Sequence, residues 1–204
     1  MGLMSYVGGQ FHKPTGLFGR VATFTMNRQN QTQYQGVEQA LALDGADTVL
    51  EIGFGNGYLL ERFASRYGCR LFGVDISEDM IELVTRRCRQ LIADGQVSLV
   101  LGDAQDTGLE SASFDKVYTI NTIYFWSDLE AGLAEIRRVL KPGGVLALGF
   151  YPKETLDRVA IATHGYHKYH LEELVGSIEQ AGFVVSATQL SGRNLAYCLT
   201  CVKN

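Results

Sequence analysis

Val49-Leu50-Glu51-Ile52-Gly53-Phe54-Gly55-Asn56-Gly57 decides the fold. An apolar strand carrying one acid, Glu51, runs into glycines at alternate positions. A second apolar run, Leu71-Phe72-Gly73-Val74, ends in Asp75. Glycine has no Cβ, so the chain turns sharply and a ligand can approach the backbone closely. The turn feeds a helix beginning near Tyr58, whose free N–H groups point at the ligand. The pairing describes a nucleotide-type ligand, its backbone held by the glycine turn and its ribose by the Asp75 carboxylate.

Dinucleotide enzymes space these glycines as G-x-G-x-x-G and seat a pyrophosphate on the helix N-terminus. Here the pattern is Gly53-x-Gly55-x-Gly57, and Tyr58 stands where the third glycine would allow close helix–strand packing. Glu51 beside the turn suits a cationic ligand end better than a pyrophosphate. A glycine-rich turn alone is compatible with an ordinary βα loop. Strand, spacing, Glu51 and Asp75 together favour the ligand.

Working outward, strands and helices alternate. Strand-like runs fall at 48–52, 70–74, 97–101, 114–121 and 144–151, with helical patterns at 58–67, 78–94 and 129–140. Ser77 is the expected N-cap of the second of these helices, with Glu78 and Asp79 in its first turn. Lys141-Pro142-Gly143-Gly144 is a turn signal that stops the third. A helix over 171–181 and two strands, 183–190 and 195–202, joined through Ser191-Gly192-Arg193-Asn194, end the chain as a hairpin. The expected fold is α/β, a doubly wound seven-stranded sheet, mostly parallel, with an antiparallel C-terminal strand. Ligands of such sheets bind beyond the carboxyl ends of the strands. The glycine turn, Asp75, Asp103 and Asn121 all belong to that edge.

Residues 1–45 are expected to form a separate N-terminal segment and 46–204 the ligand-binding domain. Within the segment, 27–43 has a helical pattern, polar early and apolar late. The stretch Gly8–Arg20, with His12, has glycines and aromatics without a period and is either a lid over the site or a tail.

Composition bounds the rest. The chain has 204 residues, 46% hydrophobic, with net charge −4, enough for one sizeable core. No basic aromatic stripe suggests a nucleic-acid groove. Arg86-Arg87-Cys88-Arg89 spreads around a helix as a solvated face. No apolar stretch approaches the ~20 residues of a membrane span, and the first residues lack a signal-peptide pattern. Cys69, Cys88, Cys198 and Cys201 make no disulfide framework for this length, which points to the cytoplasm. Cys198 and Cys201 lie three apart in a strand, on opposite faces, and are read as buried thiols.

The series Val49–Gly57, Gly73-Val74-Asp75-Ile76-Ser77, Gly102-Asp103-Ala104, Ser113-Phe114-Asp115-Lys116-Val117 and Arg138-Val139-Leu140-Lys141-Pro142-Gly143-Gly144 resembles the motifs of class I S-adenosylmethionine-dependent methyltransferases. The small-molecule branch with the quinone-biosynthesis (UbiE/menaquinone-type) enzymes is the nearest resemblance. It covers residues 46–150 closely, is looser to 204, and leaves 1–45 unmatched. It implies S-adenosyl-L-methionine as cofactor, with Gly53, Gly55 and Gly57 around its methionine part and Glu51 near the amino end. It further implies Asp75 on the ribose hydroxyls, Ile76 and Met80 flanking adenine, and Asp103 and Ala104 on the adenine edge. Asn121 would face the methionine and methyl group. Local alternatives stay open: Asp103 and Asp75 as caps, Met80 as core, Asn121 as a strand end.

Methyl transfer from a sulfonium is an in-line displacement, and positioning supplies most of the catalysis, ~7–11 kcal/mol in well-oriented systems. A base is needed only where the acceptor loses a proton. Tyr124, Phe125 and Trp126 could line the acceptor and surround the cation, or seat the next helix. Asn121-Thr122-Ile123-Tyr124 only faintly resembles the Asn-Pro-Pro-Tyr motif of DNA and glutamine methyltransferases, and both prolines are missing. His164, His167 and His170 are spaced for a helix face, but Gly165 weakens it and no further ligand completes a metal set. A loop is favoured, with Tyr124, His164 and His167 kept as base candidates. The expected function is methyl transfer to a small molecule. A cofactor-binding protein without catalysis and a nicotinamide-dependent oxidoreductase are the rivals. Oligomeric state is open between monomer and homodimer.

Overall fold

The computed structural model describes residues 30–158, 167–190 and 195–204. A helix, Gln31–Leu41 (α1), precedes strand Thr48–Ile52 (β1), helix Tyr58–Tyr67 (α2) and strand Arg70–Asp75 (β2). Helices Glu78–Arg87 (α3) and Arg89–Ala93 (α4) lead to strand Val97–Leu101 (β3), then Phe114–Ile120 (β4) and a short 3-10 turn at Ile123–Phe125. Helix Leu129–Val139 (α5), strand Leu140–Phe150 (β5), helices Lys153–Leu156 (α6) and Leu171–Gln180 (α7), and strands Phe183–Leu190 (β6) and Ala196–Lys203 (β7) complete the order.

The sheet runs β3-β2-β1-β4-β5-β7-β6. The first five strands pair in parallel, and β7 lies antiparallel between β5 and β6. The expected doubly wound sheet with an antiparallel C-terminal strand is therefore observed. Both faces are covered, which is why consecutive residues of β1, Val49 to Ile52, are all buried. One face buries Val37 and Leu41 of α1, Leu60 and Phe63 of α2, and Met80 and Val84 of α3. The other buries Leu133 and Ile136 of α5 and Leu174 and Ile178 of α7. Among the described residues no helix is long and apolar enough to cross a membrane.

Three boundaries differ from the sequence reading. The helix expected over 78–94 breaks at Cys88, whose backbone leaves helical geometry (φ −95°, ψ 19°) while its side chain is buried. The seam Met80, Val84, Cys88 follows four-residue spacing, and the break lets Leu91 and Ile92 return to the same core. The turn signal at 141–144 lies inside β5: Leu140 pairs with Phe114, the register shifts, and Val145 pairs with Lys116. Residues 141–144 are thus an outward bulge, with Gly143 at φ +72°. The helix expected to reach Leu43 ends at Leu41, where Ala42 turns left-handed. The start of that helix before residue 30, the Gly8–Arg20 stretch with His12, His164 and the Ser191–Asn194 turn lie outside the described residues.

Candidate functional site

At the carboxyl end of β1 the chain turns through Gly53, Gly55 and Gly57, all left-handed (φ +73°, +52° and +69°). They differ in what surrounds them. A Cβ at Gly53 would run into Thr122 Cγ2, and one at Gly57 would stand 2.6 Å from Val84 Cγ1. One at Gly55 would meet nothing within 4 Å among the described residues. Gly53 and Gly57 therefore allow the turn to pack against the loop after β4 and against α3, while Gly55 borders open space. Gly57 caps α2 through its backbone alone, and Asn56 Oδ1 accepts the Tyr58 N–H at 3.1 Å.

Asp75 ends β2, buried at 8% exposure. Its Oδ2 accepts the Gly55 N–H at 2.9 Å, and its Oδ1 accepts the Ser77 N–H at 3.0 Å. The glycine turn and the acid are thus joined directly. With the Ile76 N–H also directed at the carboxylate, acceptor capacity remains for one further donor. The Asp75 carbonyl accepts the Gly102 N–H at 3.1 Å, which brings the loop after β3 alongside. Ser77 sits at the N-cap of α3 as expected but without the capping bond; its hydroxyl is buried and has no partner.

Glu51 is buried under the turn. The Tyr118 hydroxyl donates to its Oε2 at 2.8 Å, and the Leu60 N–H also donates to the carboxyl. Burial raises its pKa well above the ordinary carboxylate value, and the nearby Asp75 charge adds to the rise. Burial likewise raises Asp75, against the N–H groups of Gly55, Ser77 and Ile76 that favour its ionised form. Among the described residues no cation faces these two acids, which makes this the place where a cationic ligand end is favoured.

The remaining expected residues divide. Ile76 is 44% exposed beside Asp75, whereas Met80 is buried in the core with Phe54 and Val84. Asp103 is exposed, and its Oδ1 accepts from the Gln105 N–H at 2.9 Å and the Gln105 Nε2 at 3.0 Å, a local turn cap. Ala104 is buried next to it. Thr107 donates from both backbone and hydroxyl to Glu135 of α5, at 2.9 and 2.5 Å, and Arg138 holds the same carboxylate. Glu135 is drawn down to about 2, by Arg138 foremost, so the loop carrying Asp103 is fixed by a charged clamp.

Asn121 follows β4 in a left-handed conformation, φ +59°. Its amide and that of Gln33 form a reciprocal pair: Gln33 Nε2 donates to Asn121 Oδ1 at 3.0 Å, and Asn121 Nδ2 donates to Gln33 Oε1 at 2.8 Å. The Tyr124 hydroxyl, buried, accepts the Tyr151 N–H at 2.6 Å and lies 3.1 Å from Asn121 Oδ1 and 3.2 Å from the Tyr151 carbonyl. These bonds make Tyr124 a strut between the ends of β4 and β5, and they count against it as a proton acceptor. His167 is exposed and donates its N–H to the Tyr124 carbonyl, while His170 pairs with Glu154 at 2.5 Å. Both stand in the non-helical stretch before α7, as the glycine beside them led us to expect.

Sequence reasoning missed Gln33, Tyr34, Tyr118 and Glu135. Tyr34 packs its ring 5.5 Å from that of Tyr58, at the start of α2. A usable signal existed for Gln33: with Val37 and Leu41 it shares the helical seam that faces the sheet, and a polar residue in such a seam needs a partner.

Residues 50–148 match the family model described as "Methyltransferase domain". The uncharacterized methyltransferase YdaC of Bacillus subtilis (strain 168) is 32% identical over 164 residues, 80% of this chain and 86% of that protein. The sterol 24-C-methyltransferase of Eremothecium gossypii is 33% identical over 144 residues, 69% of this chain but 37% of that longer protein. Among solved structures, a SAM-dependent methyltransferase of Thermotoga maritima superposes with a TM-score of 0.67 at 24% identity, covering 90% of this chain and 96% of its own. Phosphoethanolamine N-methyltransferase 2 of Haemonchus contortus, solved with phosphomonomethylethanolamine and S-adenosylhomocysteine, gives 0.73 at 19% identity, covering 85% and 52%.

Proposed function

Since this chain belongs to the methyltransferase family, we propose that it moves a methyl group from S-adenosylmethionine to a small-molecule acceptor. The observation that carries the reading is the Gly55 N–H bonded to a buried Asp75 beside open space, with Glu51 underneath. The cradle fits the cofactor. A Cβ at Gly55 would stand in space that no described residue occupies, Asp75 keeps acceptor capacity for a ribose hydroxyl, and the buried acids favour a cationic amino acid end.

The cofactor supplies an activated methyl on a sulfonium with a good leaving group. The chain's part is to bind and orient. Glu51, Gly53, Gly55 and Gly57 hold the methionine end, Asp75 the ribose, and Ile76, Asp103 and Ala104 the adenine edge. Met80 backs that wall from the core, and Asn121 borders the methyl. We assign no general base. Net acidity and the sterol in the name of one of the relatives support a metabolite as acceptor.

Titration calorimetry with S-adenosylhomocysteine and with NAD tests the cofactor; binding of NAD alone ends the reading. Incubation with methyl-labelled cofactor and a metabolite extract tests catalysis. Binding without labelled product would favour a non-catalytic cofactor-binding protein.

A further inference from the structure

Gln33 is 1% exposed, yet it is a primary amide in the apolar seam of α1. Burying such a group unpaired is destabilising, because it gives up its hydrogen bonds to water. Its bonds run to Asn121, 88 residues away, through a closed two-bond amide ring. Asn121 holds a left-handed backbone that non-glycine residues adopt infrequently, and its N–H is tied to the Gly149 carbonyl at 2.9 Å. The next residue, Thr122, is the one packed onto Gly53, and the Thr119 hydroxyl beneath it donates to the Ile52 carbonyl at 2.9 Å. Gln33, Asn121, Thr122 and Gly53 therefore form one chain of contacts from α1 to the glycine turn. The far side of α1 is pinned as well: Glu38 accepts from Arg62 at 2.6 Å, Arg66 at 2.9 Å and the Tyr67 hydroxyl at 2.7 Å, all on α2. Both ends of the linkage are braced, so the position of α1 is transmitted to the turn after β4.

We propose that Gln33 is a positioning residue of the transfer site: its amide holds Asn121 in the left-handed turn that sets Thr122 against Gly53 and fixes the wall of the methionine end. The inference rests on the assignment of that cradle to S-adenosylmethionine. α1 is then a working part of the site and not only a cover for the sheet.

A double-mutant cycle read by S-adenosylhomocysteine calorimetry tests it. Gln33→Met keeps the side-chain volume and removes the amide pair; Asn121→Gly keeps the backbone conformation and removes the pair from the other side. Gln33→Met should raise Kd by about tenfold in the wild-type background and less than about twofold in the Asn121→Gly background, because one linkage cannot be lost twice. Leu41→Ala, a cavity on the same helix outside the linkage, should lower the unfolding midpoint with Kd unchanged at temperatures well below it. The proposal is overturned if Gln33→Met binds within twofold of wild type. It is equally overturned if the tenfold loss recurs in the Asn121→Gly background, or if Leu41→Ala weakens binding as much. Wild-type protein that fails to bind S-adenosylhomocysteine refutes the cofactor assignment itself, a result separable from these.

Discussion

Glu51 and Glu135 are the same side chain, both buried, and they stand in opposite electrostatic states. Glu135 lies between α5 and the loop after β3, where Arg138 and the two Thr107 donors hold it ionised down to about 2. Glu51 lies under the glycine turn, where neutral donors from Tyr118 and Leu60 meet it and the neighbouring charge is another acid, Asp75. Desolvation outweighs those two hydrogen bonds at Glu51, and a charged partner outweighs desolvation at Glu135. A buried acid with its cation supplied by the fold is scaffold. A buried acid with no cation supplied by the described residues is a place prepared for one.

The largest expected effect probes the space beside Glu51. Gly55→Val puts a branched side chain into the open cradle at φ +52° and should raise the Kd for S-adenosylhomocysteine at least about a thousandfold, ~4 kcal/mol, in a protein that still folds by circular dichroism. Retained affinity would place the ligand elsewhere. Asp75→Ala should cost about 1.5–3 kcal/mol of binding by removing charge-assisted bonds to the ribose; unchanged calorimetric affinity in folded protein would refute that role.

Glu135→Gln should do the reverse, lowering the urea-derived unfolding free energy by about 2 kcal/mol while leaving affinity intact. The folded Glu135 value lies below the ordinary 4.5, so the unfolded chain binds more protons between the two. Its stabilisation is therefore present above pH 4.5 and fades as pH falls toward about 2, a slope that Glu135→Gln should lack. The smallest effect is the most diagnostic. Glu51 is raised above 4.5 in the fold, so its contribution is fully present below that pH and is lost as pH rises. Glu51→Gln should stabilise the unliganded protein by about 1 kcal/mol at neutral pH, yet weaken cofactor binding. If a cationic ligand ionises Glu51, binding releases protons, and the calorimetric enthalpy should vary with buffer ionisation in the wild type and less in Glu51→Gln. Equal variation in both would remove Glu51 from the linkage.

What could be read in the chain was local. The strand, glycine turn and helix of residues 48–67 occupy one continuous stretch, so backbone conformation, spacing and apolar runs fix them without knowledge of the rest. Asp75 was legible for the same reason, as the acid that closes the next strand. The position of α3 was legible too, although its Ser77 cap lacks the bond that the sequence implied.

The local sequence determined the alternation of elements, the parallel α/β class and the glycine cradle with its acids, because each depends on residues a few positions apart. Tertiary structure alone decided the insertion of β7 between β5 and β6, the Tyr118 hydroxyl on Glu51 across 67 residues, and the Gln33–Asn121 pair across 88. Those are partnerships between polar groups whose identity carries no preference until packing removes water from both, and burial is a property of the folded chain, not of any one segment.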